Sequence, residues 1–330
     1  MRPLKIWVAA IFAIFLSTSA LISQELDERK RIQDEVNYLI LNSRYSQLEE
    51  LAQSYRDNDA RTSSGIQKLA VFYLTIDKIT KERLQMNAVG YLMRDQMEVW
   101  LAQHPNSPTA AVAKSVTLTA EGWYIRGGGY ARTVDEEAWA PFFEKMNEAN
   151  QVLLEAESYA AVDPYWHVQR AKILNHLNAP PEEFILFMDE ALARHPNFFE
   201  LHFAAVNYFA PKWHGDAYAI EAFAVRANEI AHETEGDGMY ARIYWYASQT
   251  QFDLRLFMDS QVDWEKMRRG MIDVLAEYPD QWNIQNFALF SCLADDQDMT
   301  RELLGQMEGT PIMTAWKRED ILDYCTDFAG

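Results

Sequence analysis

The chain has 330 residues, of which 49% are apolar and 24% are charged, so it can bury a large core and differs from a disordered protein. It carries 49 acidic and 30 basic residues, which gives a formal net charge of −19. Such a surface repels phosphate backbones, and no basic stripe interrupts it, so the composition argues against a nucleic-acid partner. The acidity favours solubility or attraction to a basic partner.

Residues 1–20 have the pattern of an export signal. Two basic residues precede an apolar run over residues 6–16, and the small residues Thr18 and Ala20 fit a cleavage site after Ala20. The run is shorter than the stretch of about 20 residues that crosses a bilayer. We therefore predict a cleaved signal peptide and a periplasmic protein. Extending the run through Ile22 gives the alternative, an uncleaved anchor that holds the protein at the inner membrane, facing the periplasm.

Residues 21–330 predict a single all-α domain, because apolar residues recur at helical spacing and no stretch alternates apolar and polar residues for long. The polar, turn-prone segment 56–65 is the best candidate for a soft boundary within it. The predicted helices cover residues 25–42, 45–55, 66–77, 88–103, 109–124, 133–156, 164–177, 198–210, 217–232, 239–250, 262–278, 283–293, 299–307 and 312–328, with one more beginning after Pro180-Pro181.

The clearest of these helices is expected to begin at Thr133. Thr133 and Glu136 have the spacing of a capping box, in which a hydroxyl and a carboxylate satisfy free N-terminal amides. Apolar residues then recur at steps of three and four. They predict one buried stripe, formed by Trp139, Phe142, Met146, Ala149, Leu153 and Ala156.

A phrase of the form L-A-x-[H/Y]-P-[N/D] occurs three times, at residues 101–106, 192–197 and 275–280, each time between two helical patterns. Proline cannot donate the helical hydrogen bond and disfavours helical geometry in the preceding residue, so it separates helices. Pro164 and Pro196 are 32 residues apart, close to the period of about 34 residues in tetratricopeptide (TPR) repeats. The pattern predicts stacked antiparallel helical hairpins in a degenerate TPR-like α-solenoid.

Two segments also resemble a known family. They read W-Y-I-R-G-G-G-Y-A at residues 123–131 and F-A-P-K-W-H-G-D at residues 209–216. The chain resembles a family of bacterial proteins classed as a domain of unknown function with a TPR-like fold, in which W-x-x-R-G-x-G and P-x-W-x-G segments lie between helices. The resemblance covers about residues 45–293. It implies the all-helical fold and implies no activity.

The same two segments supply the candidate partner-binding residues Trp123, Arg126, Lys212, Trp213 and His214. If the two loops converge, these residues can form a pocket that stacks a ring and pairs with a carboxylate. The preferred interpretation is simpler: the tryptophans anchor the loops, and Arg126 caps the end of a helix. The three glycines after Arg126 predict a loop rather than a phosphate site, because no buried strand or following Lys-Ser/Thr accompanies them.

No other pattern in the sequence indicates chemistry. The seven histidines lack metal-ligand spacing, no catalytic motif is present, and we predict neither a cofactor nor an enzyme. In an oxidising compartment Cys292 and Cys325 can form a disulfide, and the alternative is two separate buried thiols.

The leading functional hypothesis is an adaptor or scaffold of the cell envelope that binds a protein or peptide and meets the membrane only if the N-terminal segment is retained. Two alternatives remain open. One is an envelope enzyme that acts on cell-wall carbohydrate with a pair of carboxylates in an aromatic groove. The other is an acidic immunity-type protein that neutralises a basic toxin, with an affinity that falls steeply with salt.

Overall fold

The structure, a computed structural model, describes residues 24–86 and 93–330. These residues are all-α, as predicted: they contain helices and no strand, and the one isolated antiparallel bridge joins Arg61 and Gln67. The helices, numbered in chain order, are α1 Gln24–Leu41, α2 Tyr45–Asp57, α3 Lys68–Gln85, α4 Met93–Gln103, α5 Pro108–Arg126, α6 Glu136–Ala160, α7 Pro164–His176, α8 Pro181–Arg194, α9 Phe199–Tyr208, α10 Ala217–Glu235, α11 Gly238–Ala247, α12 Leu256–Asp259, α13 Trp264–Glu277, α14 Gln281–Leu293, α15 Gln297–Gly305, α16 Met313–Trp316 and α17 Glu319–Ala329.

Burial divides the helices into two layers. Helices α5, α7, α9, α11 and α14 are buried on nearly every side, whereas α6, α8, α10 and α13 each bury a single stripe. In space α3, α5, α7, α9 and α11 follow one another, and α1 packs on both α3 and α14. Trp245 of α11 contacts the rings of Trp282 and Phe287 on α14. The series of helix contacts from α3 to α11 therefore continues through α14 and α1 back to α3. The fully buried helices and α3 form an inner layer, and the amphipathic helices lie outside it.

Prolines separate the helices where the sequence predicted. Helices α4, α8 and α13 end within the three phrases, two residues before each proline, and α5, α9 and α14 begin within a few residues after it. Pro164 opens α7, and the side chain of Asp163 accepts a hydrogen bond from the Tyr165 amide at 2.8 Å, which caps the helix.

The segment 58–67 between α2 and α3, called here the central loop, gathers the N-terminal ends of the inner helices. Its Gln67 side chain donates to the carbonyl oxygen of Asn197, just before α9, at 2.6 Å. Its Arg61 pairs with Glu235 at the end of α10, just before α11, at 2.9 Å. Thr62, Ser64 and Gln67 are buried. The polar central loop is therefore partly buried and joins the starts of neighbouring inner helices.

Arg56, next to the central loop, joins the starts of α5 and α7. Its Nη2 donates to Thr109 Oγ1 in the first turn of α5 at 2.9 Å and to Asp163 before α7 at 2.6 Å. Tyr73 of α3 donates its hydroxyl to the same carboxylate at 2.6 Å. We call this end of the molecule the closed end. Because α5, α7, α9 and α11 all begin here, they run parallel and their C-terminal ends meet at the opposite end.

Three predicted helix boundaries were wrong. The helix predicted over 66–77 continues to Gln85 as α3. Thr133 is not the first cap of a capping box: it lies in a short 3₁₀ turn and donates its hydroxyl to the Tyr130 carbonyl, and α6 begins three residues later, after Asp135. The predicted stripe on α6 is buried apart from Trp139, which is half-buried. The helix predicted over 312–328 is broken into α16 and α17 by Lys317, whose φ of 67° lies outside the helical region.

Cys292 of α14 and Cys325 of α17 are joined by a disulfide, which ties the last helix to the inner layer. No helix within residues 24–86 and 93–330 is long and apolar enough to span a membrane. The predicted signal at residues 1–20 and the start of the helix predicted over 88–103 lie outside the described residues.

Candidate functional site

A cavity of about 1010 Å³ opens at the end of the molecule opposite the central loop. It is lined by α3, α5, α7 and α9 and by the loops that follow α5, α7 and α9, and it extends inward as far as Tyr165 in the first turn of α7. Its volume is at the upper end of the range of about 300–1,000 Å³ that is typical of ligand sites. The lining comprises Leu74, Asp77, Lys81, Val116, Thr119, Trp123, Arg126, Gly128, Gly129, Tyr130, Ala131, Trp139, Phe142, Tyr165, Gln169, Lys172, Asn175, His176, Asn178, Ala204, Asn207, Lys212, Trp213, His214 and Thr250.

The structure brings all five sequence-predicted residues, Trp123, Arg126, Lys212, Trp213 and His214, to this one cavity. The rings of Trp123 and Trp213 contact each other edge to face, with their centroids 6.3 Å apart. Trp123 lies in the last turn of α5, and Trp213 lies in the loop after α9. The loops 127–135 and 209–216, called here the two tryptophan loops, are therefore neighbours at this end of the molecule.

Arg126 both holds its loop and lines the cavity. Its guanidinium lies 4.8 Å from the ring centroids of Trp123 and Trp139, one cation–π contact with each. Its Nη1 donates to the carbonyl oxygens of Gly127 and Gly129, both at 3.0 Å. Arg126 therefore anchors its loop, as the simpler interpretation predicted, and it also lines the cavity.

The second tryptophan loop is held by different contacts. Lys212 donates its ammonium to the Thr250 carbonyl at 3.3 Å, at the π-helical turn that follows α11. The His214 ring stacks on Tyr208 at 4.4 Å. Trp213 packs against the core and, through its ring, against Trp123. Of these side chains, Lys212 has the fewest contacts with the fold.

His176 is a site residue that the sequence analysis missed. It occupies the last turn of α7, and its ring lies 5.1 Å from Trp123 and 5.8 Å from Trp213. Its Nδ1 has no hydrogen-bond partner among the described residues. Burial, and then the positive charges of Lys172 and Arg126, lower the pKa of His176 to about 3, so the ring is neutral at pH 7. The one signal for His176 in the sequence is its position next to the predicted end of the helix over residues 164–177.

The charge of the cavity is opposite to the charge of the protein. Four cations line it, and among its described lining residues the one carboxylate is Asp77, which pairs with Lys81 at 2.7 Å. Lys172 is 3.9 Å from Glu200. Arg126 and Lys212 have no carboxylate in ion-pair contact within the described part of the chain, and burial lowers the pKa of both. The lining therefore holds two cations without an ion-pair partner among the described residues.

No cluster of histidine, cysteine, aspartate or glutamate side chains in residues 24–86 and 93–330 has a geometry that could hold a metal ion. Comparison of the chain with protein-family models, curated proteins and solved structures finds no match.

Proposed function

We propose that the protein is an exported adaptor of the cell envelope that binds a segment of a protein or peptide partner in this cavity. In this proposal its helical hairpins are a degenerate TPR-like α-solenoid, an architecture that commonly binds extended partners. Because contacts through α14 and α1 close the inner layer, the partner binds at the cavity end. One observation carries the proposal. The two tryptophan loops, which lie far apart in the chain, line a single cavity large enough for several side chains of a partner.

The composition of the lining supports binding of this kind. Rigid aromatic side chains provide contact area at a low cost in conformational entropy, and they are enriched where proteins bind peptides. Here Trp123, Trp139, Trp213 and Tyr130 lie around one opening, and Tyr130 is 74% exposed. The side-chain amides of Gln169 and Asn207 also line the cavity; their nitrogens donate within the protein, and their oxygens can accept hydrogen bonds from a partner backbone.

The decisive test blocks the cavity without disturbing the fold. Gly128 lines the cavity, and a Cβ at this position would meet no atom within 4 Å, so Gly128→Trp places a large ring in open space. Gly305 in α15 is equally uncrowded and does not line the cavity, so Gly305→Trp is the matched control. Binders selected from a random peptide library with free C-termini would be measured by calorimetry against each variant.

We expect Gly128→Trp to weaken binding by about tenfold or more, which corresponds to about 1.4 kcal/mol, and Gly305→Trp to leave it unchanged. If no peptide binds, or if the selected peptides bind Gly128→Trp as well as the unmodified protein, the proposal is wrong. The carbohydrate-enzyme and toxin-neutralising alternatives remain predictions, and a steep fall of affinity with salt for a basic protein partner would favour the second.

A further inference from the structure

We propose that the cavity selects an aromatic carboxylate, a ligand in which a planar ring and a carboxylate lie close together. In this arrangement Lys212 and Arg126 hold the carboxylate, and the ring packs against Trp123 and Trp213. The inference rests on the proposed function and names the chemical class of the group that the cavity receives. A free aromatic acid and the C-terminal aromatic residue of a peptide share this chemistry.

The first argument is electrostatic. A chain with 49 acids and 30 bases would be expected to line most of its surface with carboxylates, yet the cavity has four cations and, in the described lining, one acid. A concave site of one sign within a protein of the other sign concentrates ions of the opposite charge to the site. The ligand that such a site attracts is an anion.

The second argument concerns unused hydrogen-bond donors. Arg126 uses Nη1 for two loop carbonyls, and its Nε and Nη2 have no partner among the described residues. The ammonium of Lys212 makes one hydrogen bond within the described residues, to the Thr250 carbonyl. Polar groups normally find hydrogen-bond partners, so unused cationic donors beside a cavity indicate a ligand that accepts hydrogen bonds. A carboxylate accepts from guanidinium and ammonium donors together.

The third argument concerns the rings. Trp123 and Trp213 meet edge to face, and both line the cavity together with Trp139 and Tyr130. Trp123 also carries the Arg126 guanidinium, which brings the cation and the aromatic lining together. Aromatic rings pack on one another in offset or edge-to-face arrangements at centroid distances of about 4.5–7 Å. A planar ring is therefore the apolar group that these side chains accommodate with the largest contact.

Helix dipoles offer a competing explanation for some of the cations. The C-terminal ends of α5 and α7 point to the cavity, and a positive charge in a last turn, such as that of Arg126, stabilises a helix. Lys212 lies beyond the end of α9, and its one hydrogen bond within the described residues goes to the Thr250 carbonyl in the π-helical turn after α11, so the same explanation can apply to it. Only the ligand-binding role predicts a preference for an acid over its amide that depends on Lys212.

The experiment compares an acid with its uncharged amide. N-acetyl-phenylalanine and N-acetyl-phenylalanine amide would be titrated into the protein by calorimetry at low salt, together with the peptide Ala-Ala-Phe with a free or an amidated C-terminus. We expect the acids to bind about tenfold more tightly than the amides, since hydrogen bonds to charged groups are among the stronger ones. Lys212→Met should remove most of this preference, Lys212→Arg should retain it, and Lys30→Met, on the exposed surface of α1, should not change it.

The outcomes separate this inference from the proposed function. Equal affinity for acid and amide, or a preference that survives Lys212→Met, overturns the carboxylate assignment while library peptides still report on cavity binding. If library peptides bind and neither phenylalanine compound does, the ligand class is wrong and the adaptor proposal stands. If nothing binds, both fail. Tight binding of the free acid but not of Ala-Ala-Phe identifies a small molecule as the source, and the reverse identifies a peptide end.

Discussion

The closed end and the cavity end of the inner helices both place arginines against aromatic rings, but they differ in whether these arginines have carboxylate partners. At the closed end, Arg56 and Arg61 lie against aromatic or buried surfaces and are paired with Asp163 and Glu235. At the cavity end, the Arg126 guanidinium lies 4.8 Å from the ring centroids of two tryptophans, and it has no carboxylate partner in the described chain. The two arginines at the closed end have ion-pair partners in the protein, whereas Arg126 at the cavity end has none among the described residues.

A cation on an aromatic ring does not by itself distinguish the two ends. Arg242 at the closed end is also without an ion-pair partner among the described residues, and it lies 4.5 Å from the Phe199 ring centroid. It is 2% exposed and donates to the Ser64 carbonyl of the central loop, so no ligand can reach it. A cation on an aromatic ring is thus compatible with either role. Unpaired donors that face an open cavity are what distinguish the cavity end.

The largest effect is expected at the closed end, from Arg56→Met. The substitution leaves the carboxylate of Asp163 fully buried without its counter-ion, and breaking a buried pair in this way typically costs about 3–5 kcal/mol. Urea denaturation at pH 7 would measure the loss. The double variant Arg56→Met with Asp163→Asn should recover part of it, because no charge is then left unpaired. A loss below about 1 kcal/mol, the value of an exposed pair, would show that this end is not closed as described.

A pair of glycines tests how fully each end is occupied. Gly65 in the central loop has a φ of 92°, and a Cβ there would lie 2.5 Å from Arg242 Nη2 and 2.8 Å from the Tyr278 ring. Gly65→Ala should therefore cost about 1–3 kcal/mol through strain and crowding. Gly128→Ala should change the free energy of unfolding by less than about 0.5 kcal/mol, since its Cβ meets no atom within 4 Å. Similar losses at the two glycines would contradict the contrast between the ends.

A buried histidine at the closed end makes stability depend on pH. Burial lowers the pKa of His202 from 6.5 to about 4, so the unfolded chain binds more protons than the folded one between these values. The contribution is fully present above pH 6.5 and falls by up to about 1.4 kcal/mol per pH unit as the pH drops toward 4. His202→Gln keeps a donor for the Pro196 carbonyl and does not titrate. It should lose less stability than the unmodified protein between pH 6.5 and 4.5, and equal losses would exclude this role.

The sequence predicted the helices and the breaks between them because these depend on local features: apolar spacing, proline and capping side chains. It also named Trp123 and Trp213, since tryptophans at helix ends are conspicuous. Their convergence on one cavity, and the participation of His176, depend on the parallel direction of the inner helices, which no local pattern records. Lys317 shows the same limit, because its left-handed φ breaks a segment whose spacing is helical throughout. Thr133 failed as a cap because its hydroxyl donates to the Tyr130 carbonyl and α6 begins only after Asp135.

The smallest expected effect is on stability at the cavity end, from Lys212→Met. The ammonium gains one hydrogen bond from the protein and no ion pair within the described chain, and burial disfavours its charge, as the lowered pKa indicates. Removing it should leave the free energy of unfolding within about 0.5 kcal/mol of its original value, as for an uninvolved surface residue. Urea denaturation without ligand, beside Lys30→Met, would measure this. A clear loss of stability would mean that Lys212 supports the fold, and the two ends would then differ less than their contacts indicate.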